Sequence, residues 1–305
     1  MQIIFLGTSG TIPTRSRNLT AVALIRNGRI FLFDAGEGTQ IQFIKSAVSM
    51  HKISDIFISH LHGDHIGGLP GIFQSLSLQR RVKPLRVYGP KGLMVYISAI
   101  LGTMNFELTF PLKVIEISSG RILEENDFYV ECTMGEHKID VISYGFFEKP
   151  RPGKFHPEKA KELEVPERLW KNLQRGEEII IKDKLIKPSD VLGPPRSGRK
   201  IVYAVDTRPC ANILSLSRNA DCLIHDGMFT SDLYEKAIEA GHSTASEAAE
   251  CAKKAEVKKL FLIHISSRYT NTDKLLTEAQ KVFPNTEIAD DLLVFEIPRV
   301  KDDIC

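Results

Sequence analysis

The chain has 305 residues, of which 43% are hydrophobic and 26% charged, and its formal net charge is +2 at pH 7. This composition is that of an ordinary soluble globular protein, and the length allows a large core in one or two domains. A net charge this small does not by itself indicate a nucleic-acid binder. Any basic surface therefore has to be local.

The five cysteines are odd in number and form no C-x-x-C pair: Cys132, Cys210, Cys222, Cys251 and Cys305. This pattern argues against a disulfide framework, and we interpret it as small core residues plus one terminal thiol in a reducing compartment. The amino terminus, MQIIFLGTSG, lacks the basic segment of a signal peptide. No apolar run approaches the length of a membrane span. We therefore expect a cytoplasmic protein with no membrane partner.

The first third of the chain is predicted to form short strands separated by turns. The segments QIIFLG, TAVALIR and RIFLFDAG are rich in apolar and β-branched residues and are bounded by Gly, Asn and Asp. A helix is expected over residues 39–48. The next strand, ISDIFISH, has the apolar character of a buried strand and carries His60 at its carboxyl end, where open α/β sheets usually place their chemistry.

Strands and helices are expected to continue on both sides of a central charged segment. Before it, GGLPGIFQSLSLQRR and KGLMVYISAILGTM predict helices, whereas LRVYGP, LKVIEI, FYVECTMGE and DVISYGFF predict strands. After it, KIVYAVDT, DCLIHDG, KKLFLIHIS and DLLVFEI predict strands. Helices are expected at CANILSLSRN, over residues 243–254 and at TDKLLTEAQKVF. The order is mixed α and β in two rough halves, without a repeat at fixed period.

The central segment, residues 148–200, differs from the rest in composition. It holds 14 Lys and Arg against nine Asp and Glu, several prolines and the only tryptophan, Trp170. A segment this long inside a compact domain is usually functional or mobile, although a solvated charged excursion is the plainer interpretation. Trp170 lies in the amphipathic run VPERLWKNL, which favours burial within the insertion or at an interface over stacking on a base.

Three histidines and an aspartate fall within six positions of HLHGDH: His60, His62, Asp64 and His65. The i, i+2 spacing of the first two points both imidazoles the same way on an extended chain, and Gly63 permits a tight turn before the others. Three imidazoles and a carboxylate suit Zn²⁺ or a similar divalent metal. Because no cysteine lies nearby, a catalytic metal site is favoured over a structural one. The density of the motif favours a metal site over a chance cluster on a solvated loop.

This motif, H-x-H-x-D-H after an apolar strand, resembles the signature of the metallo-β-lactamase superfamily. The resemblance implies further ligands in order along the chain, which are supplied by His137 after FYVECTMGE, Asp206 in KIVYAVDT and His264 in KKLFLIH. It further implies an α+β fold, the four-layer αβ/βα sandwich of two mixed β-sheets, as a single domain over residues 1–305.

The same resemblance implies two Zn²⁺ ions per subunit, with Mn²⁺ or Mg²⁺ as possible substitutes. One is held by His60, His62 and His137, the other by Asp64, His65 and His264, with Asp206 bridging. Taken singly, Asp206 also fits a helix N-cap and His264 a satisfied core histidine. The other histidines, His51 and His156, match no ligand position and are interpreted as surface residues.

Over nearly its whole length the chain resembles ribonuclease Z, the family of tRNA 3′-processing endoribonucleases. FLGTSGTIPTRSRN is similar to the family's glycine turn and Pro-x-Lys-x-Arg-Asn loop, AVDTRP to its bridging-Asp segment, HSTASEAA to its His-Ser-Thr helix start, and LIHISSRY to its last ligand segment. Arg15 stands where the loop usually has Lys, and the two are not interchangeable. Where the family often has His-Glu-Ala-Thr, this chain has His225, Asp226, Gly227 and Met228, so only the His is retained.

The resemblance implies a removal of 3′ trailers from precursor tRNA that leaves a 3′-hydroxyl on the tRNA and a 5′-phosphate on the trailer. Two metals about 3.5–4 Å apart bind both sides of an in-line displacement and acidify water between them. Asp64 is then placed to accept a proton as well as to ligate metal, and His242 is implied to protonate the 3′-oxygen leaving group. His225 is expected to orient the site from behind the ligands.

RNA binding is expected from local charge. Arg15, Arg17 and Asn18 follow the amino-terminal glycine turn, and Lys and Arg of the insertion would make salt-sensitive phosphate contacts. The resemblance implies that residues 148–195 form a protruding, flexible tRNA-binding exosite arm and that the protein is a homodimer. Two alternatives stay open: a small-molecule phosphodiesterase or other hydrolase of the same fold, and a metal-stabilised RNA-binding protein without catalysis.

Overall fold

A computed structural model describes residues 1–299 of the chain. The strands in this part are β1 (Gln2–Gly7), β2 (Ser9–Gly10), β3 (Ala21–Arg26), β4 (Arg29–Phe33), β5 (Ile53–Phe57), β6 (Leu85–Gly89), β7 (Leu112–Glu116), β8 (Gly120–Glu124), β9 (Phe128–Met134), β10 (Ile142–Glu148), β11 (Ile179–Ile181), β12 (Lys184–Ile186), β13 (Lys200–Ala204), β14 (Cys222–Asp226), β15 (Leu260–Ile263), β16 (Ile265–Ser266), β17 (Thr286–Ile288) and β18 (Val294–Glu296).

The helices in the same part are α1 (Thr39–Lys45), α2 (Gly63–Ile66), α3 (Leu69–Leu78), α4 (Leu93–Thr103), α5 (Pro157–Glu162), α6 (Glu167–Gln174), α7 (Pro188–Val191), α8 (Ala211–Ser217), α9 (Tyr234–Ala240), α10 (Ala245–Lys254) and α11 (Asp273–Val282). Two short 3-10 helices cover Met50–Lys52 and Ser231–Leu233. None of these helices combines the length and the hydropathy that a membrane span requires.

Two seven-stranded mixed sheets organise the larger of two compact units, which comprises residues 1–124, 130–146 and 200–297. The first sheet runs in the order β18-β1-β3-β4-β5-β6-β7 and the second in the order β17-β15-β14-β13-β10-β9-β8. Aromatic side chains join the two sheets, because Phe33 of the first lies 5.3 Å from Tyr203 of the second, between ring centroids. This packing makes the two sheets the inner layers of a sandwich.

Helices cover the outer face of each sheet. Apolar side chains of α1, α3 and α4 pack on the first sheet, and those of α8, α10 and α11 pack on the second. The result is the four-layer αβ/βα arrangement expected from the sequence. Alanines dominate the buried face of α10, and their small size lets the helix lie close to β14 and β15.

Parallel pairing brings the ends of several strands to one edge of each sheet. The strands β4, β5 and β6 are parallel neighbours, and so are β13, β14 and β15. Because the carboxyl ends of parallel neighbours lie at the same edge, residues that follow these strands are brought together there.

The predicted elements are present, several of them with shorter bounds. The strand expected at DLLVFEI covers only Val294–Glu296, and KKLFLIHIS is divided at His264 into β15 and β16. The helix expected over residues 39–48 ends at Lys45, since Ala47 has a left-handed backbone with φ 56°, which α-helix cannot accommodate. The strand expected to deliver His60 ends at Phe57, so His60 lies in the loop beyond it. Cys132, Cys210, Cys222 and Cys251 are free thiols, and Cys305 lies outside the described residues.

The second compact unit contains residues 147–199 together with 125–129. It includes α5, α6, β11, β12 and α7 and has its own hydrophobic cluster, in which Leu173 is fully buried. Trp170 packs within this cluster, 5.2 Å from Phe155 between ring centroids, and its indole N–H donates to the carbonyl oxygen of Val165. The insertion is therefore a folded element with its tryptophan inside, as the amphipathic run favours, rather than only a charged excursion.

Candidate metal centre

The sequence-predicted ligands converge at the carboxyl ends of the strands. His60 and His62 follow β5, Asp64 and His65 lie on the short helix α2, and His137 follows β9. The remaining two, Asp206 and His264, follow β13 and β15. Ligand-type atoms of His60, His62, His137 and Asp206 lie within 4.8 Å of one another, and so do those of Asp64, His65 and His264.

Asp206 lies between the two groups of side chains. Its Oδ2 is 3.5 Å from Nε2 of His60, and its Oδ1 is 3.5 Å from Nε2 of His65 and 3.2 Å from Nε2 of His264. Asp64 faces the second group, with Oδ2 3.4 Å from Nε2 of His65 and 3.3 Å from Nε2 of His264. The Asp206 carboxylate therefore lies close to histidines of both groups, whereas the Asp64 carboxylate lies close to histidines of the second group only.

The protonation states of most of these groups favour a cation. Burial lowers the pKa of His60, His62 and His137, so these rings are neutral and offer a lone pair. Burial would raise the pKa of Asp64 and Asp206, but the neighbouring imidazoles outweigh it and hold both pKa values below the usual range. Metal binding requires neutral imidazoles and ionised carboxylates.

Several buried atoms in the cluster lack a hydrogen bond within residues 1–299. These atoms are Nε2 of His65, Nε2 of His137, Nδ1 of His264 and Oδ1 of Asp206. The ring nitrogens Nε2 of His60 and Nδ1 of His62 lie only 2.9 Å apart. Buried polar groups are nearly always satisfied, so this set of lone pairs fits divalent cations.

Backbone conformation at the strand ends aims these side chains. Asp206 and His264 have positive φ, of 50° and 58°, as does Asp34 after β4, with φ 55°. Such conformations are uncommon for residues other than glycine, and they cluster at functional sites where the surrounding structure holds them.

Asp34 supports the cluster from behind and was missed by sequence reasoning. This carboxylate is fully buried and accepts hydrogen bonds from Nδ1 of His65 at 2.7 Å and from the hydroxyls of Ser59 and Tyr203 at 2.8 and 2.7 Å. Ser59 in turn lies 2.9 Å from Nδ1 of His60. Such partners fix the tautomer and the orientation of a metal-ligating imidazole. The only signal in the sequence is an acidic residue directly after a buried strand.

His242 lies beside the cluster and is held by Asp226. Its Nδ1–H donates to Oδ2 of Asp226 at 2.9 Å, and the same nitrogen is 4.0 Å from Oδ2 of Asp206. Burial would lower the pKa of His242, but the Asp226 carboxylate raises it to about 9. The site therefore presents a buried, protonated imidazole next to the candidate ligands.

Comparisons with known proteins identify the family. A model described as Anti-Pycsar protein Apyc1 matches residues 1–151, and one described as Beta-lactamase superfamily domain matches residues 190–265. Ribonuclease Z of Methanosarcina mazei is 44% identical over 306 residues, covering 99% of this chain and 100% of the relative. Ribonuclease Z of Nitrosopumilus maritimus is 41% identical over 97% of this chain and 100% of the relative.

The chain belongs to the ribonuclease Z family. The crystal structure of human tRNase Z, short form, has a TM-score of 0.72 to this chain, with 28% identity over 98% of this chain and 100% of that one. Family membership and the metallo-β-lactamase fold, both predicted from the sequence, are confirmed.

The residues predicted to touch RNA lie in different environments. Arg15 is exposed. Arg17 is buried, and its guanidinium donates to Oγ1 of Thr8 at 2.7 Å, to the carbonyl oxygen of Ala289 at 2.5 Å and to Asp290 at 2.6 Å. This placement favours a bracing role for Arg17 over RNA contact.

Asn18 has similar internal partners. Its backbone N–H donates to the Asp291 carboxylate at 2.6 Å, and its side-chain amide donates to the carbonyl oxygen of Glu37 at 2.9 Å. Asn18 therefore holds the loop that carries Arg15.

His225 and Met228 do not join the cluster. His225 is fully buried on β14, and its Nδ1–H donates to the carbonyl oxygen of the adjacent Asp226 at 2.9 Å. Because Asp226 holds His242, His225 contacts the site only through that residue, and its orienting role stays a prediction. Met228 packs in a small apolar cluster with Phe229 and Ala237. The glutamate of the usual motif is thus replaced here by a shorter carboxylate that still reaches His242.

Proposed function

We propose that this chain removes the 3′ trailer of precursor tRNA, leaving a 3′-hydroxyl on the tRNA and a 5′-phosphate on the trailer. Its place in the ribonuclease Z family confirms the predicted class, a metal-dependent tRNA 3′-processing endoribonuclease. The observation that carries the proposal is the convergence of seven ligand-type side chains, with Asp206 between their two groups and His242 beside them.

Two divalent cations, Zn²⁺ in our proposal with Mn²⁺ or Mg²⁺ as substitutes, fit the two groups of side chains. His60, His62 and His137 would hold one, and Asp64, His65 and His264 the other, with Asp206 shared. When bound, the pair would neutralise charge on the phosphate and acidify water in the site. The unpartnered buried atoms of His65, His137 and Asp206 support this assignment.

We propose that two side chains move protons. Asp64 accepts a hydrogen bond from the backbone N–H of Thr11 at 2.8 Å, which fixes its carboxylate, and we assign it the proton of the attacking water. His242, protonated through Asp226, would give its proton to the 3′-oxygen as the phosphorus–oxygen bond breaks. Acid and base are thus separate groups with pKa values pushed apart by their surroundings.

RNA contacts are proposed for the exposed Arg15 and for the basic insertion. Residues 148–200 carry five more positive than negative charges, enough for salt-sensitive contacts with phosphates. Because the insertion has its own core, we propose that residues 148–195 act as a preformed tRNA-binding arm.

A homodimer is proposed on the basis of an exposed apolar patch. Ile41 and Ile44 on α1, Leu78 at the end of α3 and Val82 in the segment after α3 are between 56% and 77% exposed, and α1 contacts α3. Apolar patches of this kind mark protein interfaces. Ile44→Asp is expected to convert a dimer to a monomer in light scattering. Val95→Asp, at an exposed position of α4, serves as the control, and a monomeric wild type would contradict the proposal.

The activity is tested with a labelled precursor tRNA and metal-reconstituted protein, with the cut site mapped. We expect a cut directly after the discriminator nucleotide, lost in His62→Ala and kept in His51→Ala, since His51 matches no ligand position. An intact precursor, with metal bound and a small phosphodiester still hydrolysed, would return the substrate assignment to the wider superfamily. We place the reaction in the cytoplasm, where precursor tRNA and free thiols would both be expected.

A further inference from the structure

Arg208 lies two residues beyond Asp206, in the segment between β13 and α8, and its side chain faces the loop that carries His242. One terminal guanidinium nitrogen donates to the backbone carbonyl oxygen of His242 at 2.7 Å and to Oε2 of Glu247 at 2.8 Å. The other terminal nitrogen pairs with Oε1 of Glu247. This ion pair is mostly shielded from water, with side-chain exposures of 17% and 18%.

Glu247 anchors the same loop from its other end. Its Oε2 accepts hydrogen bonds from the backbone N–H of Thr244 at 2.9 Å and from the Thr244 hydroxyl at 3.0 Å, while Thr244 Oγ1 caps the Glu247 N–H. This reciprocal capping box begins α10. The short loop from His242 to Thr244 is therefore fixed at its first carbonyl by Arg208 and at its last N–H by the partner of Arg208.

The segment that carries Arg208 also contacts the His137 loop. The Arg208 N–H donates to the carbonyl oxygen of Glu136 at 2.8 Å, and the Glu136 N–H donates to Oγ1 of Thr207 at 3.0 Å. The Ser243 hydroxyl donates to the carbonyl oxygen of Thr207 at 2.6 Å. Residues 206–208 thus supply a central carboxylate and tie the candidate proton donor to the ligand cluster.

We propose that Arg208 is a positioning residue that sets where the His242 imidazole lies relative to the scissile 3′-oxygen. The inference rests on the proposed function and deepens it. Planar geometry is essential, because one guanidinium reaches a carbonyl and both oxygens of a carboxylate at once, which a lysine ammonium cannot do. A displacement of about 1 Å in a catalytic group costs on the order of 100-fold in rate.

The test compares two leaving groups at the same phosphate. A precursor tRNA with its natural 3′-oxygen needs a proton from His242 when the phosphorus–oxygen bond breaks. In a precursor with sulfur in that position, water forms the new phosphorus–oxygen bond, the phosphorus–sulfur bond breaks, and the thiolate leaves without a proton. We expect Arg208→Ala to lower kcat on the natural precursor by about 10- to 100-fold, within the contribution of a general acid.

The loss of kcat that Arg208→Ala causes on the sulfur-containing precursor should be at least about tenfold smaller than on the natural one. KM for both precursors should change little. Arg208→Lys should recover only part of the lost rate, because a single ammonium group cannot make the hydrogen bonds of both terminal guanidinium nitrogens at once. The matched control is Lys258→Ala, which breaks the Lys258–Asp221 ion pair away from the site. Equal losses on the two precursors would overturn the positioning role.

A second readout separates this inference from the proposed function. In ¹³C–¹H spectra, the ring signals of His242 are expected to shift in Arg208→Ala and in Glu247→Gln but not in Lys258→Ala. If the wild type leaves precursor tRNA intact, the proposed function fails while these spectra still decide the role of Arg208. Unchanged His242 signals in Arg208→Ala, with the variant folded, would overturn the inference.

Discussion

Nδ1 of His65 donates to a carboxylate oxygen of Asp34 across 2.7 Å, and both side chains are fully buried. The same oxygen of Asp34 also accepts from Tyr203 on the second sheet. One buried carboxylate thus links a candidate ligand on α2 to the second sheet. Because buried polar networks of this kind are costly when left half-satisfied, Asp34 has consequences for both metal affinity and stability.

Asp34→Asn should weaken metal binding by about 10- to 100-fold, because the amide nitrogen cannot accept the proton of His65 and the ring loses its fixed orientation. Competition with a chelator measures the affinity. Tyr203→Phe is the control, since it leaves the Asp34–His65 contact intact. It should cost about 1 kcal/mol of unfolding free energy with metal affinity nearly unchanged. Equal affinities for wild type and Asp34→Asn would contradict the prediction.

Asp226→Asn should lower the pKa of His242, which the carboxylate raises to about 9 against the opposing effect of burial. NMR titration of protein stripped of divalent metal by chelation measures this. A raised histidine pKa stabilises the fold fully below the unfolded value of about 6.5, and the stabilisation is lost as pH rises to about 9.

The variant should therefore lose stability mainly below pH 6.5 and differ least from wild type above pH 9. Cleavage of precursor tRNA should fall by about 100-fold or more, within the range of a general acid. An unshifted His242 titration in the variant would show that another group sets its pKa.

Gly241→Ala should disturb His137 directly. A Cβ at Gly241 would lie 2.7 Å from Nδ1 of His137, and the glycine φ is 77°. Gly28 is a matched control, because its φ is 76° and a Cβ there would meet nothing within 4 Å. Both alanines carry about 1–2 kcal/mol of left-handed strain. Only Gly241→Ala should reduce metal affinity, as measured by chelator competition, and equal reductions in both variants would reject the clash.

Leu173→Ala should loosen the insertion through its own core. The side chain is fully buried among residues of that cluster, and such truncations cost about 2–5 kcal/mol. Hydrogen exchange should accelerate within residues 155–192 and stay slow in β13, β14 and β15. Precursor tRNA binding should weaken, whereas hydrolysis of a small activated phosphodiester should change little; exposed Leu185→Ala is the control. Uniformly faster exchange across the chain would contradict a separate core.

The local sequence predicted that these ligand-type side chains group together, because four of them lie close to one another along the chain. His60, His62, Asp64 and His65 fall within six positions, and a buried strand pattern precedes them. The family resemblance extended this set to the histidines and the aspartate that follow β9, β13 and β15. Strand periodicity and parallel pairing explain why those distant positions meet at one edge.

Bracing residues were not visible in the sequence. Arg17 matched an RNA-binding loop in the family, yet its guanidinium faces Thr8, Ala289 and Asp290. An arginine that contacts phosphate and an arginine that contacts carbonyl and carboxylate oxygens look the same in a sequence motif, because residue type and spacing are identical. Only the path of the carboxyl-terminal segment past β1 distinguishes them.

The sequence by itself determined the order of elements, the metal-binding character of HLHGDH and the family. The tertiary structure alone decided which polar groups orient that chemistry: Asp34 with His65, Asp226 with His242, and Arg208 with Glu247. These partners are 31, 16 and 39 residues apart along the chain. Hydrogen bonds act over about 3 Å, so such pairs exist only after strands from separate parts of the chain have aligned.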